Sequence, residues 1–323
     1  MKKFLKIIVI ILVLLLSGTW YVLTSPVLPG GGDAPAVPVR LERITADVAY
    51  LTSTPYPRNA QYMSSLLLAA EYIEAEFRKT TDRVSRQEYD MDQQLYRNVI
   101  AEFGPADGEL LVIGAHYDVC YNQPGADDNA SGVAGILELA RLFQQLQPTL
   151  KYRIQLIGYT LEEPPYFRTQ FMGSYIHALS LSEGKVPVKG MICLECIGYF
   201  SEEKGSQEYP AGILETIYPT TGNFIAVVGR LGEGKLLRPI KKGMKAGGNI
   251  PVESIKAPPS LPGIDFSDHL NYWAFGYDAV MVTNTAFYRN KNYHEPTDTK
   301  ETLDYEKMAE VIKGVYWAVV NLE

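Results

Sequence analysis

The sequence predicts an α/β fold: a single domain with a mostly parallel, mixed central sheet flanked by helices on both faces. Three observations predict it. Short apolar runs recur along the chain, at Glu109-Leu110-Leu111-Val112-Ile113-Gly114, Tyr152 to Gly158, Gly190 to Glu195, Phe224 to Val228 and Ala279 to Thr283. Each has the length of a strand and is too short for a helix. Between them lie segments whose apolar residues fall at helical spacing, and strands alternating with helices are the pattern of a parallel sheet covered on both sides. No internal repeat and no second linker divides the chain.

Taken in order, residues 1–25 stand apart. Lys2, Lys3 and Lys6 precede an apolar run, Ile7 to Leu16, that continues with interruptions to Leu23. At ~1.5 Å per residue, Ile7 to Leu23 spans about 25 Å, near the lower limit for crossing a bilayer. We read an uncleaved transmembrane anchor, with a cleaved signal segment as the alternative. Ser17-Gly18-Thr19 is followed at once by the bulky Trp20 and Tyr21, a poor cleavage site. Either way the lysines stay inside, which puts the rest of the chain on the exported side, periplasmic or extracellular, and secreted if the segment is cleaved. Residues 26–38, rich in Pro and Gly, read as a linker, and residues 39–323 as the folded domain.

Within the domain, Tyr62, Leu66, Leu67, Ala70, Ile73 and Phe77 mark a helix between Asn59 and Lys79, and Val99-Ile100-Ala101 a strand. Val133, Ile136, Leu137, Ala140 and Phe143 mark a helix reaching Leu146. Further helices fit Gly173 to Leu181, Lys235 to Lys245, His269 to Phe275 and Tyr305 to Asn321. Without the three N-terminal lysines the chain carries 27 basic against 37 acidic side chains, which argues against nucleic acid as a partner. Cys120, Cys193 and Cys196 cannot all pair with one another; we expect buried free thiols.

The chemistry concentrates in Gly114 to Val133, GAHYDVCYNQPGADDNASGV. A His, a tight polar loop and two adjacent Asp residues follow a buried strand and precede an amphipathic helix. Open α/β sheets bind ligands beyond the carboxyl ends of their strands, and His with carboxylates suits a divalent cation. Three other apolar runs end the same way: in Glu162-Glu163, in Glu195 and, after AVMVTNTAFYRNKNY, in His294. Glu195, between Leu194 and Cys196, would be costly to bury unless paired or metal-bound.

HYD, PGADDNASGVA, the Glu pair and the late YHxxxDT together resemble the co-catalytic di-zinc aminopeptidases of metallopeptidase family twenty-eight, from about Asn59 to the C-terminus. That resemblance implies a zinc-exopeptidase fold, two Zn²⁺ per chain and peptide substrates with a free N-terminus. It implies that His116 binds one zinc, with Asp118 orienting its ring. It places the metal-bridging carboxylate, followed in the family by a cis peptide, at Asp127. Glu162 becomes the general base and Glu163 a ligand; Glu195 completes the first zinc and His294 the second; Tyr293 matches a tyrosine that steadies the oxyanion in some members. His269, in Phe266-Ser267-Asp268-His269, resembles a recurrent segment near the pocket, whereas His177 carries no ligand pattern and reads as structural. Pro164-Pro165-Tyr166-Phe167 departs from the turn common in the family, which bears on substrate preference. Two other functions are compatible with the scaffold: a single-zinc glutaminyl cyclase, and a non-catalytic binding ectodomain. The same scaffold also hosts carboxypeptidases.

Overall fold

The structure is a computed structural model that describes residues 2–28, 36–232 and 235–323. Residues 29–35 of the expected linker lie outside the described residues. Helix α1 (Lys2–Thr24) is long and apolar enough to cross a membrane by length and composition. Its last carbonyl, of Thr24, accepts from Lys241 Nζ at 2.9 Å and Ser254 Oγ at 2.6 Å.

Eight strands form one sheet: β1 (Val84–Met91), β2 (Gln94–Phe103), β3 (Leu110–His116), β4 (Arg153–Tyr159), β5 (Val188–Glu195), β6 (Ile225–Arg230), β7 (Val252–Ala257) and β8 (Ala279–Thr283). Their order is β1-β2-β4-β3-β5-β8-β6-β7. The four central strands β4, β3, β5 and β8 are mutually parallel, so their carboxyl ends share one edge. Antiparallel pairing sets β2 against β1 and β4, and β6 against β8, while β7 runs parallel to β6. The sheet is therefore mixed and mostly parallel, as the alternation of elements predicts.

Helices α2 (Leu41–Leu51), α3 (Met63–Arg78), α4 (Gly132–Leu146), α6 (Leu237–Gly247) and α8 (Tyr305–Val320) bury their apolar faces in one core. Helices α5 (Gly173–Glu183) and α7 (His269–Ala274) cover the other face. Strand β3 shows why the central runs read as unbroken apolar segments. Leu111, Ile113 and Ala115 belong to the first core, Leu110 and Val112 to the second, and every residue of the strand is buried. The amphipathic pattern of α2, with Ile44, Val48 and Leu51 buried at helical spacing, was legible but absent from our sequence reading. Edge strands β1 and β7 escaped it for a physical reason: VSRQEYDM and VESIKA lack the apolar run of a strand covered on both faces.

Candidate metal centre

Three of the four parallel strands deliver residues at or just past their ends to one place, and the loop after β8 brings His294 to it. His116 ends β3, Glu162 and Glu163 lie just past β4, and Glu195 ends β5. Sharp turns follow or precede them: Leu161 (φ 58°), Cys196 (φ 51°) and His294 (φ 59°) all adopt the left-handed region. Non-glycine residues visit that region uncommonly and cluster at functional sites when they do. Here the turns lead the backbone abruptly out of the sheet beside the side chains that meet at its edge. Gly125 (φ 62°) introduces the loop to α4, and a Cβ there would lie 2.2 Å from Val119 Cγ1 and 2.4 Å from Asp128 O, so only glycine fits the approach.

One carboxylate sits between two imidazoles, and it belongs to Asp128. Its Oδ1 lies 3.2 Å from His116 Nε2 and its Oδ2 3.1 Å from His294 Nε2. Glu195 Oε2 approaches His116 Nε2 at 3.2 Å, and Glu163 Oε2 approaches His294 Nε2 at 3.3 Å. Glu162 stands slightly back, its Oε2 3.9 Å from His116 Nε2. All these carboxylates are buried.

Asp127, the residue expected to bridge two metals, is turned away. Its Oδ1 accepts from the backbone N–H of Gly198 and Tyr199 and from Asn284 Nδ2, and its Oδ2 accepts from Asn284 and Asn290 Nδ2. Every lone pair is spent on the scaffold, so Asp127 has none left for a cation. The cis peptide likewise follows the second Asp, between Asp128 and Asn129, and not the first. Two consecutive Asp residues in one motif offered no way to choose between them from sequence; backbone direction through Ala126–Ser131 decides it.

A second set of residues holds the first in position. Asp118 accepts from the backbone N–H of both Glu162 (3.1 Å) and Glu163 (3.0 Å), and its Oδ1 is 3.5 Å from His116 Nδ1, which has the Asp118 carbonyl at 3.2 Å. It thus orients the Glu pair as well as the ring. Asp298, the Asp of the YHxxxDT motif, accepts from the backbone N–H of Asp127 and Asp128. Asn129 ties the same loop to β5, donating to Leu194 O and Glu195 Oε2, and Ser267 Oγ donates to Glu195 Oε2 at 2.7 Å. Arg58, 1% exposed, gathers the carbonyls of Leu51, Tyr117, Pro124 and Gly125, and burial pulls its pKa down to about 10. Arg58, Asn129, Ser267, Asn284 and Asn290 carry no signal of these roles in the sequence, being uncharged or lone residues whose partners are mostly remote in the chain.

The electrostatics are those of a site short of positive charge. Burial alone would raise the Asp128 carboxyl, but contact with His116 and His294 outweighs burial and holds it below the usual carboxylate range. Burial pushes Glu162 well above its ordinary value, with Glu163 and Glu195 adding to the rise, and pushes Glu163 up to about 8. Both histidines are driven up against the effect of burial, His116 chiefly by Glu195 and Glu162, His294 by Asp128, Cys120 and Glu163. His294 Nε2 and Asp128 Oδ2, although close, each lack a hydrogen-bond partner. Orphaned donor atoms facing each other among acids fit divalent cations between His116, Asp128 and Glu195 on one side and His294, Asp128 and Glu163 on the other. The thiols of Cys120 and Cys196 lie within 4.8 Å of donors in these two sets.

Tyr293 stacks on the His294 ring, centroids 3.9 Å apart and planes at 14°, and lines the cavity over the donors. His177 is structural in its contacts: buried, its Nδ1 is 2.6 Å from Tyr272 Oη, which in turn meets Tyr159 Oη. His269 is buried against Trp273 with Nε2 2.8 Å from Ile264 O, so it meets the scaffold. The three cysteines are free and buried, as expected.

Comparison with known proteins agrees with this geometry. The profile of peptidase family M28 matches residues 98–319. The uncharacterized protein YfbL of Escherichia coli (strain K12) is 47% identical over 288 residues, covering 87% of this chain and 88% of its own. Leucine aminopeptidase 1 of Ajellomyces dermatitidis is 28% identical over 228 residues, 67% of this chain and 53% of its own, so the chain spans about half the length of that relative. Among solved structures, LapB from Legionella pneumophila superposes with a TM-score of 0.70 at 24% identity, covering 88% of this chain and 73% of its own. BSAP, a zinc aminopeptidase from Bacillus subtilis, gives 0.68 at 14% identity (88% and 95%). A glutaminyl cyclase from Bacteroides thetaiotaomicron gives 0.67 at 17% identity (89% and 100%). These structural likenesses are likenesses of fold. With a family profile spanning more than half of its length, and a histidine–carboxylate cluster where the central strands end, the chain belongs to peptidase family M28.

Proposed function

We propose that this chain is an aminopeptidase that works with two zinc ions, tethered to a membrane by α1 with its catalytic domain, residues 39–323, on the exported side. The observation that carries the reading is the Asp128 carboxylate, one oxygen toward each of two histidine–carboxylate pairs. His116, Asp128 and Glu195 would hold one ion, and His294, Asp128 and Glu163 the other. Two such ions, when bound, would supply the Lewis acidity that makes a water reactive at neutral pH and polarises a peptide carbonyl.

The remaining work falls to the chain. Glu162, buried and just behind the donors, takes the proton of the attacking water and hands it to the departing amine. Tyr293, whose hydroxyl makes no hydrogen bond among the described residues, is free to donate to the oxygen on which charge develops. Asp118 keeps His116 and both glutamates in register. The cavity over the donors is lined by Asp128, Glu162, Glu163 and Glu195 and by no Lys or Arg. Arg168, over the rings of Phe167 and Phe266 that line it, is paired with Asp265 at 2.7 Å. Among the described residues, a substrate's free C-terminal carboxylate therefore finds no unpaired cationic side chain in this cavity. This favours amino- over carboxypeptidase action.

The test is hydrolysis of amino-acid p-nitroanilides by the full-length protein in detergent, loaded with zinc, against the same preparation with chelator and against N-acetylated substrates. Metal-dependent turnover confined to free amines is expected. Absence of turnover, or equal turnover of blocked substrates, contradicts the reading; one bound zinc with cyclisation of N-terminal glutamine would point to the cyclase instead.

A further inference from the structure

A second cavity opens beside the donor cluster and takes no part in the chemistry above. It measures about 780 Å³ counted out to open solvent, and Glu195 and Tyr293 line both spaces. One wall is the sheet itself. Register sets Glu195 of β5 beside Thr283 of β8, Thr283 beside Ala226 of β6, and Ala226 beside Glu253 of β7. Residues in register on adjacent strands project from the same face, so the four form one row, and three strand spacings of ~4.8 Å put its ends ~14 Å apart. The two middle members are small. The space above Thr283 and Ala226 is therefore left open, and the next row, Met281, Val228 and Ile255, gives it an apolar flank.

The charges of this cavity are one-sided. Among the described residues its lining contains three glutamates and no Lys, Arg or His. Glu195 is engaged at the donor cluster, through His116 and Ser267. Glu208 is tied to Lys291 at 2.5 Å. Glu253, half-buried, has no hydrogen bond or ion pair among the described residues. Lys241 feels the charge of Glu253 but keeps its ammonium on Thr24 O and on Ser254 Oγ, and Ser254, the next residue along β7, projects from the opposite face of the sheet. A carboxylate with no hydrogen-bond or ion-pair partner at the far end of an apolar channel suits a ligand with an aliphatic stem and a cationic head, because such chains bury their methylenes and keep the head on a polar partner. To reach Glu253 from the Glu195 end, a side chain must cross both Thr283 and Ala226, which only a long one can do.

Resting on the aminopeptidase reading, we propose that this cavity receives the side chain of the substrate's N-terminal residue and that Glu253 makes the enzyme select a long cationic one, lysine or arginine. Glu253 is then a specificity residue: it touches substrate and leaves the bond-breaking step to the donor cluster. The test compares kcat/KM for the p-nitroanilides of lysine and norleucine, which share a stem and differ in the ammonium head, using zinc-loaded full-length protein and its Glu253→Gln variant. Lysine should be favoured by at least about tenfold in the native protein, the order expected of a desolvated charge pair, and the ratio should fall to about one or below in Glu253→Gln. A native ratio of one or less, or a ratio that Glu253→Gln leaves unmoved, overturns the proposal while leaving the aminopeptidase reading intact. If neither is hydrolysed while other amino-acid p-nitroanilides are, the proposal is overturned; if none is, the aminopeptidase reading fails. Calorimetric titration of L-lysine and L-norleucine into the same preparations then decides the cavity: tighter lysine binding lost in Glu253→Gln supports it, and equal binding overturns it.

Discussion

Asp127 and Asp128 are neighbours in the chain, equally buried, and opposite in their surroundings. Asp127 faces the scaffold and spends both oxygens on two backbone amides and two asparagines. Asp128 faces the cavity and meets two imidazoles, with one oxygen lacking any hydrogen-bond partner. One carboxylate fixes the loop so that the next can be presented incompletely satisfied. Polar groups already satisfied belong to the fold, and those left short of a partner belong to the ligand.

The sharpest way to break this comparison is to make the two substitutions separately. Asp128→Asn should abolish metal-dependent hydrolysis and lower the bound zinc below two per chain, with the metal-free protein still folded, because a neutral amide is a poor ligand. Asp127→Asn should do the reverse. Its amide nitrogen must face a donor, and leaving a buried donor unsatisfied costs ~1–3 kcal/mol, read as a lower unfolding midpoint in denaturant. If both variants lose zinc alike, the division of labour is wrong.

Next in size is Glu162→Gln, which keeps the volume and removes the proton acceptor. Turnover should fall by ~10²- to 10⁴-fold with zinc content and stability little changed. Glu163→Gln should instead lose metal, since Glu163 approaches His294 within the donor set. Mass spectrometry of the metal content of both variants separates the roles. A Glu162 variant that sheds zinc while the Glu163 variant keeps it would reverse them.

The strand ends were legible because chemistry and hydrophobicity coincide there. His116, Glu162, Glu163 and Glu195 interrupt or end apolar runs, and His294 sits in a recognisable motif. What sequence could not settle was which of two adjacent acids points inward, since that depends on the backbone between Gly125 and Gly132. Nor could it give the supporting partners. Arg58 reaches carbonyls up to 67 residues away, and Asn290 meets Asp127 across 163; such pairs have no local signature. Edge strands β1 and β7 were missed because their outer positions are free to be polar. Glu253 itself sits on one of those missed strands.

His177 extends the contrast to the histidines, at a smaller effect. It lies in the scaffold, and burial pulls its pKa from 6.5 down to about 3, whereas the histidines of the donor cluster are driven up. The unfolded chain gains a proton below about pH 6.5 that the folded one refuses, so the contribution is intact above that pH and is lost progressively as pH falls toward the folded value. By pH 5 this should cost about 2 kcal/mol. Thermal unfolding of the native protein and of His177→Gln at pH 7 and pH 5 checks it: the acid-induced fall should be smaller in the variant, and an equal fall would show that His177 does not carry it.

The central claim is that two cations share Asp128. An anomalous-scattering map of crystals grown with zinc tests it most directly, because it reports the number of ions and their ligands together. Two peaks are expected, one beside His116 and Glu195, the other beside His294 and Glu163, with Asp128 touching both. A single peak, or a peak ligated by Asp127, would contradict it.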